Sequence, residues 1–409
     1  MVRELTTQII ETLAFKTQIH PSWENIEQRM ALRKYPRRSV TYDYYGMTAS
    51  QSQYLRALSY AKQNELIEIP LWHAACRLTE NAYANHSMIH VTTQDLWQFR
   101  GCSGMIFWRN DTSGGERYFT NGIHGDGSIQ LTEILEQDYQ KMDVTLYPVS
   151  YGYLKPEDDY SSYTASHITL QINVDLQSDY AKSYLPTSLD ESHFEIWETK
   201  TPFQSAIPAS YDGVELFSLA PSWTKDLSSH FIRNANKLDN DSGVVKYDLK
   251  SINGSENKEI EYVLATRSEI NNFQRFFTKC KGRWKSFYAP TWLSDMVLVE
   301  DAPKGQSYMM VDWSLYWKYY TSMVRRKLIV VFLKSGSVRT IRIAGYSTDE
   351  TGKFGKVYLD APISAELLVK DVVMVSFLCR YRFDSDTLTT EYDTTGIATI
   401  STVFTEVTI

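Results

Sequence analysis

Five short motifs occur twice in this sequence, in the same order. Pro21-Ser22-Trp23 returns as Pro221-Ser222-Trp223 at a shift of 200, and Val40-Thr41-Tyr42-Asp43 returns as Val245-Lys246-Tyr247-Asp248 at 205. Pro70-Leu71-Trp72 matches Pro290-Thr291-Trp292, and Trp97 matches Trp317, both at 220. Asp143-Val144 matches Asp371-Val372 at 228. Chance supplies single tripeptides, but not an ordered series whose shifts never shrink. The pattern predicts two copies of one domain in tandem, residues 1–185 and 195–409, with a polar, proline-containing linker at 186–194. Growing shifts place insertions in the second copy. The largest jump brackets Ser251 to Asn257, a run of loop composition.

Length agrees with two units, since 409 residues exceed what one core usually spans. An aromatic share of 13% favours strands, where such side chains pack on pleated surfaces, and suits interfaces as well. Two basic clusters stand out, Arg33, Lys34, Arg37 and Arg38, and Arg325, Arg326 and Lys327. With a net charge of −7 they read as solvated faces or patches meeting an acidic neighbour, and nucleic acid is not expected as a specific ligand. Cys76, Cys102, Cys280 and Cys379 lack CxxC spacing and are expected to be reduced thiols. The N-terminal stretch, with Glu4 and Glu11, has no signal-type apolar core, and no run is long enough for a membrane span. Assembly in a cytoplasm is the expectation.

Each copy reads as a mainly β, α+β unit, a sandwich or partly open barrel carrying one helix. Alternation over Ser39–Tyr45 and Gly243–Leu249 predicts opening strands. Ile270, Phe273 and Phe277 at helical spacing, behind Thr266 or Ser268 as cap, predict a helix, with Ala49–Tyr60 its counterpart. Strands are expected at Met105–Trp108, Leu328–Leu333 and Ser337–Ile343. Closing strands follow at His167–Ile172 and Thr399–Phe404.

Three stretches carry a family resemblance. They are Trp23-Glu24 to Glu27-Gln28-Arg29 with Tyr35-Pro36-Arg37-Arg38; Phe273 to Trp292, including Lys281-Gly282-Arg283-Trp284-Lys285-Ser286-Phe287; and Arg380-Tyr381-Arg382-Phe383-Asp384-Ser385-Asp386 with the terminal Phe404-Thr405-Glu406-Val407. In these the chain resembles distal tail and baseplate-hub structural proteins of long-tailed, siphovirus-like bacteriophages. The resemblance implies tail-tube-like domains, a homo-oligomeric ring where the tube meets the tip, and tail tube and tail hub or tip proteins as partners. It implies a virion location and a hexamer, while the duplication allows a trimer of two-domain chains as the alternative. The second copy departs from the pattern, since Thr224-Lys225-Asp226 follows Trp223 where the first has the Glu-Gln-Arg segment.

No catalytic constellation emerges, and neither an enzyme nor a cofactor is expected. His86 and His90 stand four apart, but no Glu follows His86 as in HExxH, and the shift of 220 puts Gln306 and Met310 in their places. Asp384-Ser385-Asp386 and Asp239-Asn240-Asp241 lack the Gly and distal Glu of a calcium loop. Gly122 to Gly127 lacks the lysine and helix of a phosphate loop and reads as a hairpin turn. Ser103 has Met105 where GxSxG needs glycine.

Trp23, Trp223, Trp72, Trp292, Trp97 and Trp317 recur and are expected in a shared core. Trp108, Trp284 and Trp313 do not pair and, with Arg29, Arg37, Arg38, Arg325 and Arg326, are candidates for partner contacts. The same tryptophans leave open a carbohydrate-binding receptor-recognition or baseplate protein. A cell-wall glycosidase is the third class, for which no carboxylate pair can be placed.

Overall fold

A computed structural model describes residues 6–22, 26–46, 48–110, 114–155, 159–164, 167–177, 210–223, 225–233, 235–241, 243–249, 254–312 and 325–407. The linker 186–194, Trp23, Trp313 and Trp317 lie outside the described residues.

The chain is mainly β. It opens with β1 (Thr6–Ala14) and a hairpin of β2 (Thr17–Pro21) and β3 (Glu27–Ala31). Then come β4 (Arg37–Gly46), helix α1 (Ala49–Ala61), β5 (Ile67–Pro70), β6 (Cys76–Arg77) and β7 (Met88–His90). After a 3-10 segment at Thr93–Phe99 follow β8 (Gly104–Arg109), β9 (Gly115–Ile123), β10 (Ser128–Leu131), β11 (Val144–Leu154), β12 (Asp159–Ser162) and β13 (Ile168–Leu176). Two small hairpins precede the second half. One is β14 (Ser210–Tyr211) with β15 (Val214–Glu215); the other is β17 (Ala235–Leu238) with β18 (Lys246–Leu249), and β16 (Ser228–Ile232) lies between them. The chain continues with β19 (Ser255–Leu264), helix α2 (Arg267–Cys280), β20 (Phe287–Pro290), β21 (Tyr308–Val311), β22 (Leu328–Leu333), β23 (Val338–Thr348) and β24 (Gly355–Leu359). It closes with β25 (Val372–Phe383), β26 (Thr387–Thr394) and β27 (Ile397–Glu406).

The two halves use the same antiparallel pairings. β4 with β13, β5 with β11, β7 with β10 and β8 with β11 correspond to β19 with β27, β20 with β25, β21 with β24 and β22 with β25. Register agrees as well: Tyr42 faces Ile172, and Tyr262 faces Ile400. Both tyrosines are buried. Both helices start at a threonine N-cap closed by a capping box, Thr48 with Gln51 and Thr266 with Glu269. α2 ends in the left-handed Lys281 (φ 52°), followed by Gly282 (φ +65°). A Cβ at Gly282 would lie 2.7 Å from Asp386 Oδ1.

By pairing scheme the counterpart of β4 is β19, not Gly243–Leu249. Val245-Lys246-Tyr247-Asp248 copies the letters of Val40 to Asp43 but lies in and beside β18, all of whose residues are exposed. Its alternation has no covered face to serve. Of the Ser251–Asn257 run, Ser255 to Asn257 already belong to β19.

β1 joins the halves. One edge pairs with β4 (Ile10 opposite Thr41) and the other with β26 (Ile10 opposite Glu391). Leu13, and Phe15 just beyond the strand, enter the core of the second half, where Phe15 meets Phe277 at 5.8 Å. That core centres on Phe217, whose ring contacts Tyr262, Phe273, Phe276, Phe287 and Phe404 edge-on or tilted.

Candidate interaction surfaces

A group of fully buried polar residues lies where the halves meet. Glu11, Arg38, Arg100 and His73 have fully buried side chains. β1 delivers Glu11, its neighbour β4 delivers Arg38, and the end of the 3-10 segment delivers Arg100. Arg100 Nη2 donates to Glu11 Oε1 at 2.7 Å, and Arg38 Nε donates to the same oxygen. From the second half, Gln274 Nε2 and the Tyr392 hydroxyl donate to Glu11 Oε2 at 2.9 and 2.8 Å. Burial alone would oppose ionisation of Glu11. The charges of Arg100 and Arg38 outweigh it and hold the carboxyl well below its usual range. Burial lowers His73 to about 3, so its imidazole is neutral.

Around this cluster α2 lies against the 3-10 segment of the first half. Trp97 Nε1 donates to Gln274 Oε1 at 3.1 Å, Gln98 Nε2 to Asn271 Oδ1 at 2.6 Å, and Asn271 Nδ2 to the Gln94 carbonyl at 2.7 Å. Arg267 reaches the carbonyls of His73 and Ala75. These contacts explain why α2 is buried nearly all round, although its outward residues are polar. β2 and β3 add a second clasp. Thr17 N and Oγ1 donate to Asp386 at 2.6 and 2.8 Å, and Arg382 forks onto both oxygens of Glu27 at 2.8 Å.

The second half carries its own buried ion group. Arg326 Nη2 donates to Glu256 at 2.9 Å and lies 3.8 Å from Glu406, and Lys258 Nζ donates to the Thr291 carbonyl. Arg38 and Arg326 are therefore internal ion-pair residues, a correction of their expected place at a surface. Arg325 is half-buried and bonds the Gly254 carbonyl and Ser255 Oγ. Arg29 is half-buried 3.8 Å from Glu27; Arg37 is exposed.

The tryptophans divide differently from the expectation. Trp72, Trp292 and Trp97 are buried. Trp223 is 63% exposed, which corrects its assignment to the core: its loop buries Pro221 and bonds β19 through Ser222 N, but leaves the Trp223 ring in solvent. Trp108 is half-buried and packs edge-on against Trp72 at 5.9 Å, so it extends the first-half core instead of presenting to a partner. Trp284 is half-buried between the ammonium groups of Lys281 and Lys285, 5.2 and 5.3 Å from its ring.

The residues screened for chemistry have local duties. His90, in β7, lies 3.3 Å from Glu80, while His86 sits in a turn against the Ala84 carbonyl, so the two do not share a helix. Asp126 holds the turn between β9 and β10 by accepting from Ser128. Asp239 turns the β17–β18 hairpin, and Ser103 Oγ points at the Val149 carbonyl. Among the described residues no three His, Cys, Asp or Glu side chains gather where a metal ion could sit.

What remains conspicuous is exposed apolar surface. Val244 is 92% exposed, Leu249 66%, Tyr247 62% and Leu238 58%, all on or beside the β17–β18 hairpin. Phe231 and Ile232 of β16 are exposed as well. In the first half Tyr60, Tyr54 and Tyr160 stand out on α1 and β12. Exposed apolar patches mark contact surfaces. No helix of the described residues is long and apolar enough to cross a membrane. No protein-family model matches the chain, and no curated protein matches its sequence.

Proposed function

We propose that this chain is a structural component of a bacteriophage tail, forming a ring at the distal tube or baseplate that joins the tube to the tip. The observation that carries the reading is the side-by-side joining of two halves with one pairing scheme, through β1, into a single sheet. We read the halves as tandem copies of a tail-tube-like, partly open β domain. A chain built this way offers two neighbouring positions in one layer, and a closed ring of such positions needs only repeated heterologous contacts. Lateral joining favours three chains supplying six positions over the hexamer of stacked layers that family resemblance suggests. Tail tube and tail hub or tip proteins would bind the two rims, and the virion tail is the location.

A second class, a carbohydrate-binding baseplate protein, has one supporting feature. It is an open groove of ≈ 600 Å³ lined by Tyr83, His86, Met88, His90, Glu80 and Lys141, where an exposed ring lies beside hydrogen-bonding groups.

Native mass measurement and averaged images of the purified protein separate the two. A six-lobed ring with three-fold symmetry supports the tail reading. A persistent monomer that binds or cleaves cell-wall glycan overturns it.

A further inference from the structure

The two helices occupy the same place in the two halves but meet different fates. Aligned on their capping threonines, Asn271, Asn272, Gln274, Arg275 and Thr278 of α2 correspond to Gln53, Tyr54, Arg56, Ala57 and Tyr60 of α1. The α2 residues are buried, and Asn271 and Gln274 among them bond the 3-10 segment of the first half. Their α1 counterparts are exposed, with Tyr60 at 85% and Tyr54 at 44%. Three of the five, Tyr54, Arg56 and Tyr60, are aromatic or arginine side chains, the types that carry most binding energy at interfaces.

A second pair of positions repeats the contrast. Tyr392 of β26 faces Ala398, and Tyr160 of β12 faces Leu170, at matching register. Tyr392 is buried beside β1 and bonds Glu11, whereas Tyr160 is 57% exposed, with the Arg56 guanidinium 5.6 Å from its ring. Gln274 beside Tyr392 thus has its positional counterpart in Arg56 beside Tyr160. The sheet edges agree. β1 pairs on both sides, but its counterpart β16 pairs only with β19, and β12 only with β13, among the described residues.

We infer that the outer face of α1, with Tyr160 and the β12 edge, is the docking surface for the second half of a neighbouring copy of this chain, which brings its β16 edge. The contact continues from copy to copy the one that joins the halves within a chain, and it rests on the tandem-copy reading. The first half of one chain covers α2 of its own second half; the second half of the next chain covers α1. Phe231 and Ile232 at the exposed end of β16 supply apolar area to match the tyrosines.

The test is Arg56→Glu with Tyr60→Glu in the full chain, and separately Tyr160→Ser. Association is read by sedimentation and native mass across a concentration series, and folding by circular dichroism and melting. The expected result is association weakened by at least about tenfold with melting unchanged, since these positions are exposed in the lone chain. Association equal to wild type in both variants overturns the docking surface while leaving a ring built through other faces. A wild-type chain that stays monomeric throughout, with β16 and β12 amides exchanging freely, overturns the docking surface and the ring together.

Discussion

Glu11 and Gln274, 263 residues apart, share a hydrogen bond of 2.9 Å at the point where the two halves of the chain meet. The bond matters because Glu11 is also the counter-charge of Arg38 and Arg100, neither of which has water to turn to. Removing one partner of a buried ion group leaves an uncompensated charge, which costs more than the pair itself contributes. Glu11→Gln is expected to destabilise the protein by about 3–5 kcal/mol, read as a shifted urea midpoint. A variant within experimental error of wild type would show that the two arginines find other acceptors, contrary to the geometry here.

The helix caps separate a covered helix from an uncovered one. Thr266 opens α2, whose body is buried on all sides, and Thr48 opens α1, of which only Ser52 and Leu55 are buried. Loss of a capping hydroxyl costs about 0.5–2 kcal/mol, and the upper end belongs to helices held rigidly by tertiary contacts. Thr266→Ala is expected near the top of that range and Thr48→Ala near the bottom, by chemical denaturation. Equal costs would mean that α1 is held as firmly as α2.

Much of the fold was legible because local patterns met matching surroundings. Ile270, Phe273 and Phe277 announced α2 by spacing, Thr266 was one of the two caps that spacing allowed, and the strand at Leu328–Leu333 followed from an apolar run buried on both faces. What sequence missed depended on contacts between distant segments. Nothing near Glu11 distinguishes a surface carboxylate from one that two arginines will surround, and the basic runs around Arg38 and Arg326 looked solvated. The letters of Val245 to Asp248 match those of Val40 to Asp43 while the pairing register does not. A repeat comparison weighted by alternation of covered positions would have aligned Tyr42 with Tyr262 instead.

The β17–β18 hairpin is expected to contribute little to the stability of a single chain. Lys246–Leu249 is exposed throughout, and a lone two-stranded hairpin is marginal in water. Val244→Ser with Tyr247→Ser should therefore leave the melting curve of the monomer within about 0.5 kcal/mol of wild type. Greater solubility of the variant at high concentration is the accompanying expectation, because exposed apolar area is removed. A clear loss of stability would place the hairpin against a surface of its own chain.

Acidification should weaken the junction in two stages. His73 has a folded-state value of about 3 against an ordinary 6.5, because burial disfavours its cation. A group depressed in this way stabilises the fold fully above pH 6.5, and its contribution is lost as pH falls from there toward 3. Glu11 is also depressed, burial being outweighed by Arg100 and Arg38, so its contribution is lost below its ordinary 4.5. Glu406 acts in the opposite sense. Burial raises its carboxyl, so it favours the folded state as pH falls toward 4.5 and offsets part of the His73 slope. Each unmatched proton changes stability by about 1.4 kcal/mol per pH unit. Between pH 6.5 and 4.5 the wild-type protein should therefore lose stability on acidification, and His73→Asn should flatten that limb while leaving the fall below 4.5 in place. The measurement is urea unfolding at half-unit pH steps for both proteins. Superimposable pH profiles would mean that His73 gains no proton on unfolding, and would overturn its assignment as a buried neutral imidazole.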